Sequence, residues 1–179
     1  RDRVAVPAEL RTARGKRLGA LQKGAKSHGG IPLPILLRLA SQACAGLHAA
    51  HELRDDKGAL VDLVHRDISP ANILVGTDGR VRLTGFDFAR PGTDHSRTIA
   101  QEIVDDLEPK YMAPEIHGEP AAATPASDLF SVGLVLYELF TGERPFKTPT
   151  ELFEQKAVFA VKPSSARPEL PKGFDAWLQ

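Results

Sequence analysis

The stretch His65-Arg66-Asp67-Ile68-Ser69-Pro70-Ala71-Asn72-Ile73-Leu74 carries more information than any other part of this 179-residue chain. It sets an acid, Asp67, and an amide, Asn72, five positions apart, after a His-Arg pair and before an apolar strand. Leu63-Val64 reads as a short strand leading in. On the far side, Ile73-Leu74-Val75 and Val81-Arg82-Leu83 flank the turn Thr77-Asp78-Gly79-Arg80, a hairpin by composition. Residues 85 to 115 then read as a long loop, a length that in a compact domain is usually functional or mobile.

Helices lie on both sides of this centre. Ile31-Pro32-Leu33-Pro34 opens one expected to run from Leu33 to Leu53, with Ile35, Leu36, Leu39, Ala43, Leu47 and Ala50 at helical spacing. Asp55-Asp56-Lys57-Gly58 ends it with turn chemistry. Downstream, Thr124 is an N-cap and Pro125 a first helical residue. That helix is expected to reach Thr141, with Gly142 as its stop. It is apolar nearly all round, through Leu129, Phe130, Val132, Leu134, Val135, Leu136, Leu139 and Phe140, so it belongs at the centre of a domain. A further amphipathic helix is expected over Thr150 to Ala160. Residues 1 to 30 are basic and Gly-rich, a short irregular helix or loop. The tail, with Pro163, Pro168 and Pro171, reads as a connector.

Composition limits the function classes. Lys and Arg number 23 and Asp and Glu 23, so no charge excess favours nucleic acid or an anionic membrane. Six His and one Cys make no metal-ligand spacing. Cys44 falls in the helical apolar pattern and is expected in the core. A lone Cys forms no intramolecular disulfide and fits a reducing cytosol. No signal peptide opens the chain. The longest apolar run, Leu129 to Phe140, is too short to span a bilayer and includes Glu138. A start at Arg1 and an end at Trp177-Leu178-Gln179 lead to the expectation of a fragment of a longer protein.

Taken in order, these segments resemble the C-terminal lobe of a eukaryotic-type protein kinase. His65-Arg66-Asp67 through Asn72 matches the family's catalytic loop, and Tyr111-Met112-Ala113-Pro114-Glu115 the end of its activation segment. Ser127-Asp128-Leu129-Phe130-Ser131-Val132-Gly133, Leu136-Tyr137-Glu138-Leu139 and Thr141-Gly142-Glu143-Arg144-Pro145-Phe146 look like its central helix and exit. The Ser-Pro after His-Arg-Asp-Ile is similar to bacterial Ser/Thr kinases. Each motif alone is weak, but the order and spacing are specific. The resemblance implies an α+β family fold, of which this chain would be a mostly α part with a small β-hairpin beside the loop. Residues 1–30 would be a partial hinge-proximal segment and 31–162 the C-lobe. Within that lobe fall the catalytic loop 65–72, the activation segment 85–115 and the central helix 125–141. Residues 163–179 would be a truncated connector.

The implied activity is transfer of the γ-phosphoryl group of ATP to a Ser or Thr hydroxyl of a protein substrate, with Mg2+. Asp67 would be the proton acceptor, Asn72 a metal and nucleotide ligand, and Leu74 part of the adenine floor. His65 would pack under the activation segment. Arg66 would pair with a phosphorylated loop residue, for which Thr93, Ser96 and Thr98 are candidates. Asp128 would anchor the catalytic-loop backbone, an isolated buried carboxylate being costly otherwise. The implied setting is cytoplasmic, with no nucleic acid, no membrane within the chain and the oligomeric state open.

Several parts depart from the family pattern. No Gly-rich phosphate loop, Val-Ala-Ile-Lys strand or helix with a paired Glu precedes these motifs, so the isolated chain is expected to be inactive. Glu115 would normally pair with an Arg in a region beyond this chain. Ser69 stands where the family commonly has Lys, with Lys110 as a possible substitute, and Glu108 where it has Thr or Ser. The main departure is Gly85-Phe86-Asp87. Family spacing from Asn72 puts a metal-binding Asp at position 85, and Gly has no side chain to supply. Phe86 keeps its packing place. Three readings compete: Asp87 reaches the metal, Asp87-Phe88-Ala89 is the motif after two inserted residues, or the site is dead. Hence the first rival is a pseudokinase acting as an interaction module. A small-molecule phosphotransferase of the aminoglycoside or choline kinase kind ranks below it, because that kind lacks the Ala-Pro-Glu segment and the central-helix pattern.

Overall fold

The structure, a computed structural model, describes residues 15–91, 109–118, 122–153 and 161–178. Its frame is two packed helices, the first of which also packs against a small sheet. The first is Leu33–His51, entered through Pro32 with a further Pro in its first turn, where the missing N–H leaves no intrahelical bond unmade. Leu36, Leu39, Ala43, Leu47 and Ala50 form its inward stripe, and all five are buried. The stripe is narrower than expected. Ile35 is half exposed and Cys44 lies exposed, because each sits about 100° round the helix from a buried neighbour. The helix ends at His51, short of Leu53.

The second is Pro125–Thr141. Thr124 is the extended N-cap, and its N–H donates to Ser127 Oγ at 3.1 Å. Gly142 takes a left-handed φ of 77°, closing the helix with its N–H on Glu138 O at 2.8 Å. Val132, Leu134, Val135, Leu136, Leu139 and Phe140 are buried, as expected of a central helix. Leu129 is not, at 59% exposure, so the helix keeps one open face.

The expected hairpin forms from Ile73–Gly76 and Val81–Leu83, with Ile73 opposite Leu83 and Val75 opposite Val81. It gains a third strand, Gly15–Arg17, antiparallel to Ile73–Gly76. Helix Leu18–Lys26 follows directly and puts Leu18 into the core with Leu36, Leu47, Ile73 and Val135. The long loop is partly regular. It holds a tight turn at Phe86–Phe88, a strand Arg90–Pro91 paired with Leu63–Val64, and a short helix from Pro114. The helix expected over 150–160 is seen as Pro149–Phe153, and residues 154–160 lie outside the described residues. The Pro-rich tail carries short helices at Pro163–Ala166 and Phe174–Leu178. Tyr137 Oη donates to Val161 O at 2.6 Å, and Phe174 meets Phe140 edge-on at 4.9 Å.

The narrow stripe can be tested on adjacent helical positions. Leu47→Ala should lower unfolding free energy by about 2–5 kcal/mol, the usual cost of such a buried truncation. Cys44→Ala, on the exposed face, should stay within about 0.5 kcal/mol. Urea unfolding of both variants measures the difference, and equal losses would refute the assigned faces.

Candidate active site

The loop between strands Leu63–Val64 and Ile73–Gly76 is fixed at its start by one carboxylate. Asp128, in the first turn of the central helix, is 1% exposed. Its Oδ2 accepts the backbone N–H of His65 and its Oδ1 that of Arg66, both at 2.8 Å. His51 Nε2, at the end of helix Leu33–His51, donates to Oδ2 at 2.9 Å. Three donors thus compensate a buried charge that would otherwise be prohibitive. The clamp also holds Arg66 at a φ of 70°, a left-handed conformation that costs a side-chain-bearing residue about 1–2 kcal/mol.

His65 is fully buried. Its Nε2 lies 2.9 Å from Thr84 O, so that nitrogen carries the hydrogen, and its Nδ1 accepts the Asp67 N–H at 3.3 Å. Both bonds suit the neutral ring. Burial pushes its pKa below the ordinary histidine value, against the opposing pull of Asp128. The Phe86 ring sits 4.4 Å from the imidazole, tilted by 51°. Thr84 closes the other side, its N–H donating to Asn72 O at 2.9 Å.

Asp67 and Asn72 meet. Asn72 Nδ2 donates to Asp67 O at 2.9 Å and to Asp67 Oδ2 at 2.6 Å. Leu74 and Ser69 neighbour this pair along the chain. Leu74 is half-buried on the strand beyond. Ser69 is 2% exposed, and its carbonyl accepts the Asn72 N–H at 3.0 Å. Lys110 is exposed beside Tyr111, whose hydroxyl bonds Glu138. Glu115 has a partner within the chain, the Ser127 hydroxyl at 2.6 Å. Thr93, Ser96, Thr98 and Glu108 lie outside the described residues.

Gly85 takes a φ of 80°. A Cβ on it would lie 2.5–2.7 Å from the Asn72 carboxamide atoms. The space for a side chain at position 85 is therefore filled by Asn72. Hairpin pairing runs without a bulge from Val75–Val81 to Ile73–Leu83, and Phe86 lies against the His65 ring. Asp87 is exposed on its tight turn. Among the described residues no three His, Cys, Asp or Glu side chains are grouped to hold a metal. Beside the Asn72 carboxamide the described residues offer one carboxylate, Asp67, which already accepts the Asn72 amide, and position 85 supplies none. Proteins bind Mg2+ through one or two carboxylates with substrate phosphates, so this donor set is one carboxylate short of a firm site.

Sequence reading alone missed His51, Thr84 and Ser127. His51 and Ser127 act through side chains on partners 77 and 12 residues away, and Thr84 through its carbonyl. Local pattern carries no sign of such contacts. The one usable signal was Asp128, a carboxylate in an apolar helix, which demands donors from elsewhere.

The sequence matches the protein kinase domain family over residues 13–172. It is 34% identical over 158 residues to the tyrosine-protein kinase MasK of Myxococcus xanthus, covering 87% of this chain and 24% of that protein. It is 30% identical over 148 residues to the serine/threonine-protein kinase drp72 of Corynebacterium efficiens, covering 83% of this chain and 26% of that one. With PknL of Mycobacterium tuberculosis, a serine/threonine-protein kinase, identity is 34% over 128 residues, 72% of this chain and 29% of the relative. The chain thus spans about a quarter of the length of these relatives.

Two outcomes follow from the geometry. Asp128→Asn leaves one loop N–H facing an amide group, and stability should fall by about 1.5–3 kcal/mol. Amide exchange at His65 and Arg66 should quicken more than at Val135, and uniform acceleration would count against the clamp. Gly85→Ala should cost about 1–2 kcal/mol from its left-handed backbone, and more from its collision with Asn72. In an Asn72→Ala background the collision part should vanish, giving a coupling of about 0.5 kcal/mol or more. Strict additivity in denaturant melts would rule out the steric conflict.

Proposed function

The chain belongs to the protein kinase domain family, and from that premise we propose a phosphoryl-transfer site in which Asp67 takes the proton of a protein Ser or Thr hydroxyl. The freed oxygen forms the new bond to the γ-phosphorus of ATP, and the bond from phosphorus to the ADP oxygen breaks. The observation that carries this reading is the contact between Asn72 Nδ2 and Asp67 Oδ2 at 2.6 Å, on a loop fixed by Asp128. The contact orients the carboxylate, and the clamp holds the backbone beneath it. Leu74, on the strand leaving the loop, suits a place beneath the adenine ring. His65 and Phe86 would hold the loop against the segment beyond residue 85. Arg66 would serve a phosphorylated residue of that segment.

Protein kinases in general bind ATP with Mg2+ and act on proteins. The choice of Ser or Thr here is our reading, since the relatives' names include both serine/threonine and tyrosine kinases. Residues 31–162 are read as the C-lobe, in a cytoplasmic setting. No described helix is long and apolar enough to cross a membrane. Because Gly85 supplies no carboxylate and Ser69 no positive charge, we derive no step through a metal. The electrostatic support lost with such groups is commonly worth about 3–4 kcal/mol each. The isolated chain is therefore read as a domain piece that does not turn over by itself.

The packing of Asn72 into the space beside Gly85 favours a second reading, a pseudokinase that binds partners without catalysis. One set of assays separates the two. The 179-residue chain with magnesium and ATP should show no phosphotransfer above background. Turnover abolished by Asp67→Ala would refute the inactivity assigned to it. In a chain extended to a complete kinase domain, Gly85→Asp with Asp87→Gly should raise activity by about 10²- to 10³-fold if the site is a weakened kinase. No gain would favour the pseudokinase.

A further inference from the structure

A cleft of about 700 Å³ opens beside the loop. Its floor is Ser69-Pro70-Ala71, starting two residues from Asp67. Its walls come from helix Leu18–Lys26, from Lys110-Tyr111, and from the end of the central helix with the segment beyond it. The charges on these walls are unequal. Among the described residues Lys23, Lys26, Lys110, Arg144 and Arg167 line it, against the carboxylate of Glu138. Glu138 is already engaged by the Tyr111 hydroxyl.

Two of the cations have spare capacity. Arg144 is half-buried, and its Nη1 is enclosed without a hydrogen-bond partner among the described residues. An enclosed guanidinium donor left unpaired is costly, and a carboxylate in the cleft would relieve that cost. Arg167 has a loose contact to Glu169 at 3.8 Å, a partner itself 49% exposed. Lys23 and Lys26 stand exposed three residues apart, on one face of their helix. The chain as a whole is neutral, so the described lining of the cleft is more positive than the chain's average.

We propose that this cleft receives an acidic peptide segment, with Asp or Glu residues flanking the hydroxyl presented to Asp67. The inference deepens the proposed function by naming its substrate class. It can be tested without catalysis, because binding along the cleft does not require phosphoryl transfer.

The test is fluorescence anisotropy on the full chain without nucleotide. Three labelled peptides of equal length carry a central Ser flanked by Asp and Glu, by Ala and Gly, or by Lys and Arg. The acidic peptide should bind about tenfold or more tightly than the neutral one, and its affinity should fall with added NaCl. Arg144→Glu should weaken binding several-fold. The Lys23→Glu, Lys26→Glu double variant, altered at exposed positions that leave the fold intact, should do the same. Lys57→Glu, in the turn at Asp55–Gly58, should leave it unchanged. Equal or weaker binding of the acidic peptide, no binding of any peptide, or insensitivity to both cleft variants would overturn the proposal. Selective binding would uphold it whatever the phosphotransfer assays give, so the two readings fail separately.

Discussion

One buried carboxylate holds the backbone on which everything else at this site is arranged. Asp128 accepts two consecutive loop N–H groups and a third hydrogen from His51. It sits in the first turn of the central helix, where the helix dipole favours negative charge. The arrangement links three elements that are far apart in sequence: the end of Leu33–His51, the loop, and Pro125–Thr141. Its hold on the Arg66 N–H helps keep that residue at a φ of 70°. If Arg66 relaxed, His65 would leave Thr84, and the turn carrying Asp67 and Asn72 would lose its base.

The same loop explains why the residue at position 85 matters more than its size suggests. Thr84 is bonded to both His65 and Asn72, so the chain arrives at Gly85 already aligned against the Asn72 side chain. A left-handed glycine fits in that gap. Any side chain there must displace the carboxamide that orients Asp67. Orientation of the acid and occupation of position 85 are therefore in direct steric competition in this conformation. A carboxylate restored at 85 gains its place only if Asn72 rotates.

Much of this was legible in the sequence, and the reasons for the rest are physical. The loop, the hairpin and the two long helices carry local signals: turn residues, caps and a period of three to four. The cost of burying a charge showed that Asp128 needs partners, and the family resemblance implied that the catalytic-loop backbone supplies them. By contrast, Gly15–Arg17 is too short to show any alternation, and its partner strand lies about sixty residues away. Ile35, Cys44 and Leu129 were read as buried by residue type, whereas their angle round the helix puts them outside. Glu115 found Ser127 because the first turn of the central helix passes beside the Ala-Pro-Glu segment. No pattern within either segment contains that information.

The weakness and the asset of this site lie on different sides of one loop. Gly85 borders Asn72 and the hairpin, the side on which the nucleotide is proposed to lie. The cationic cleft borders Ser69-Pro70-Ala71 and is walled by the helices at Leu18–Lys26 and Pro125–Thr141. The two share a backbone but no charged side chain. Loss of a metal carboxylate at 85 therefore removes nothing that an acidic segment would touch. A domain built this way can lose turnover and keep recognition.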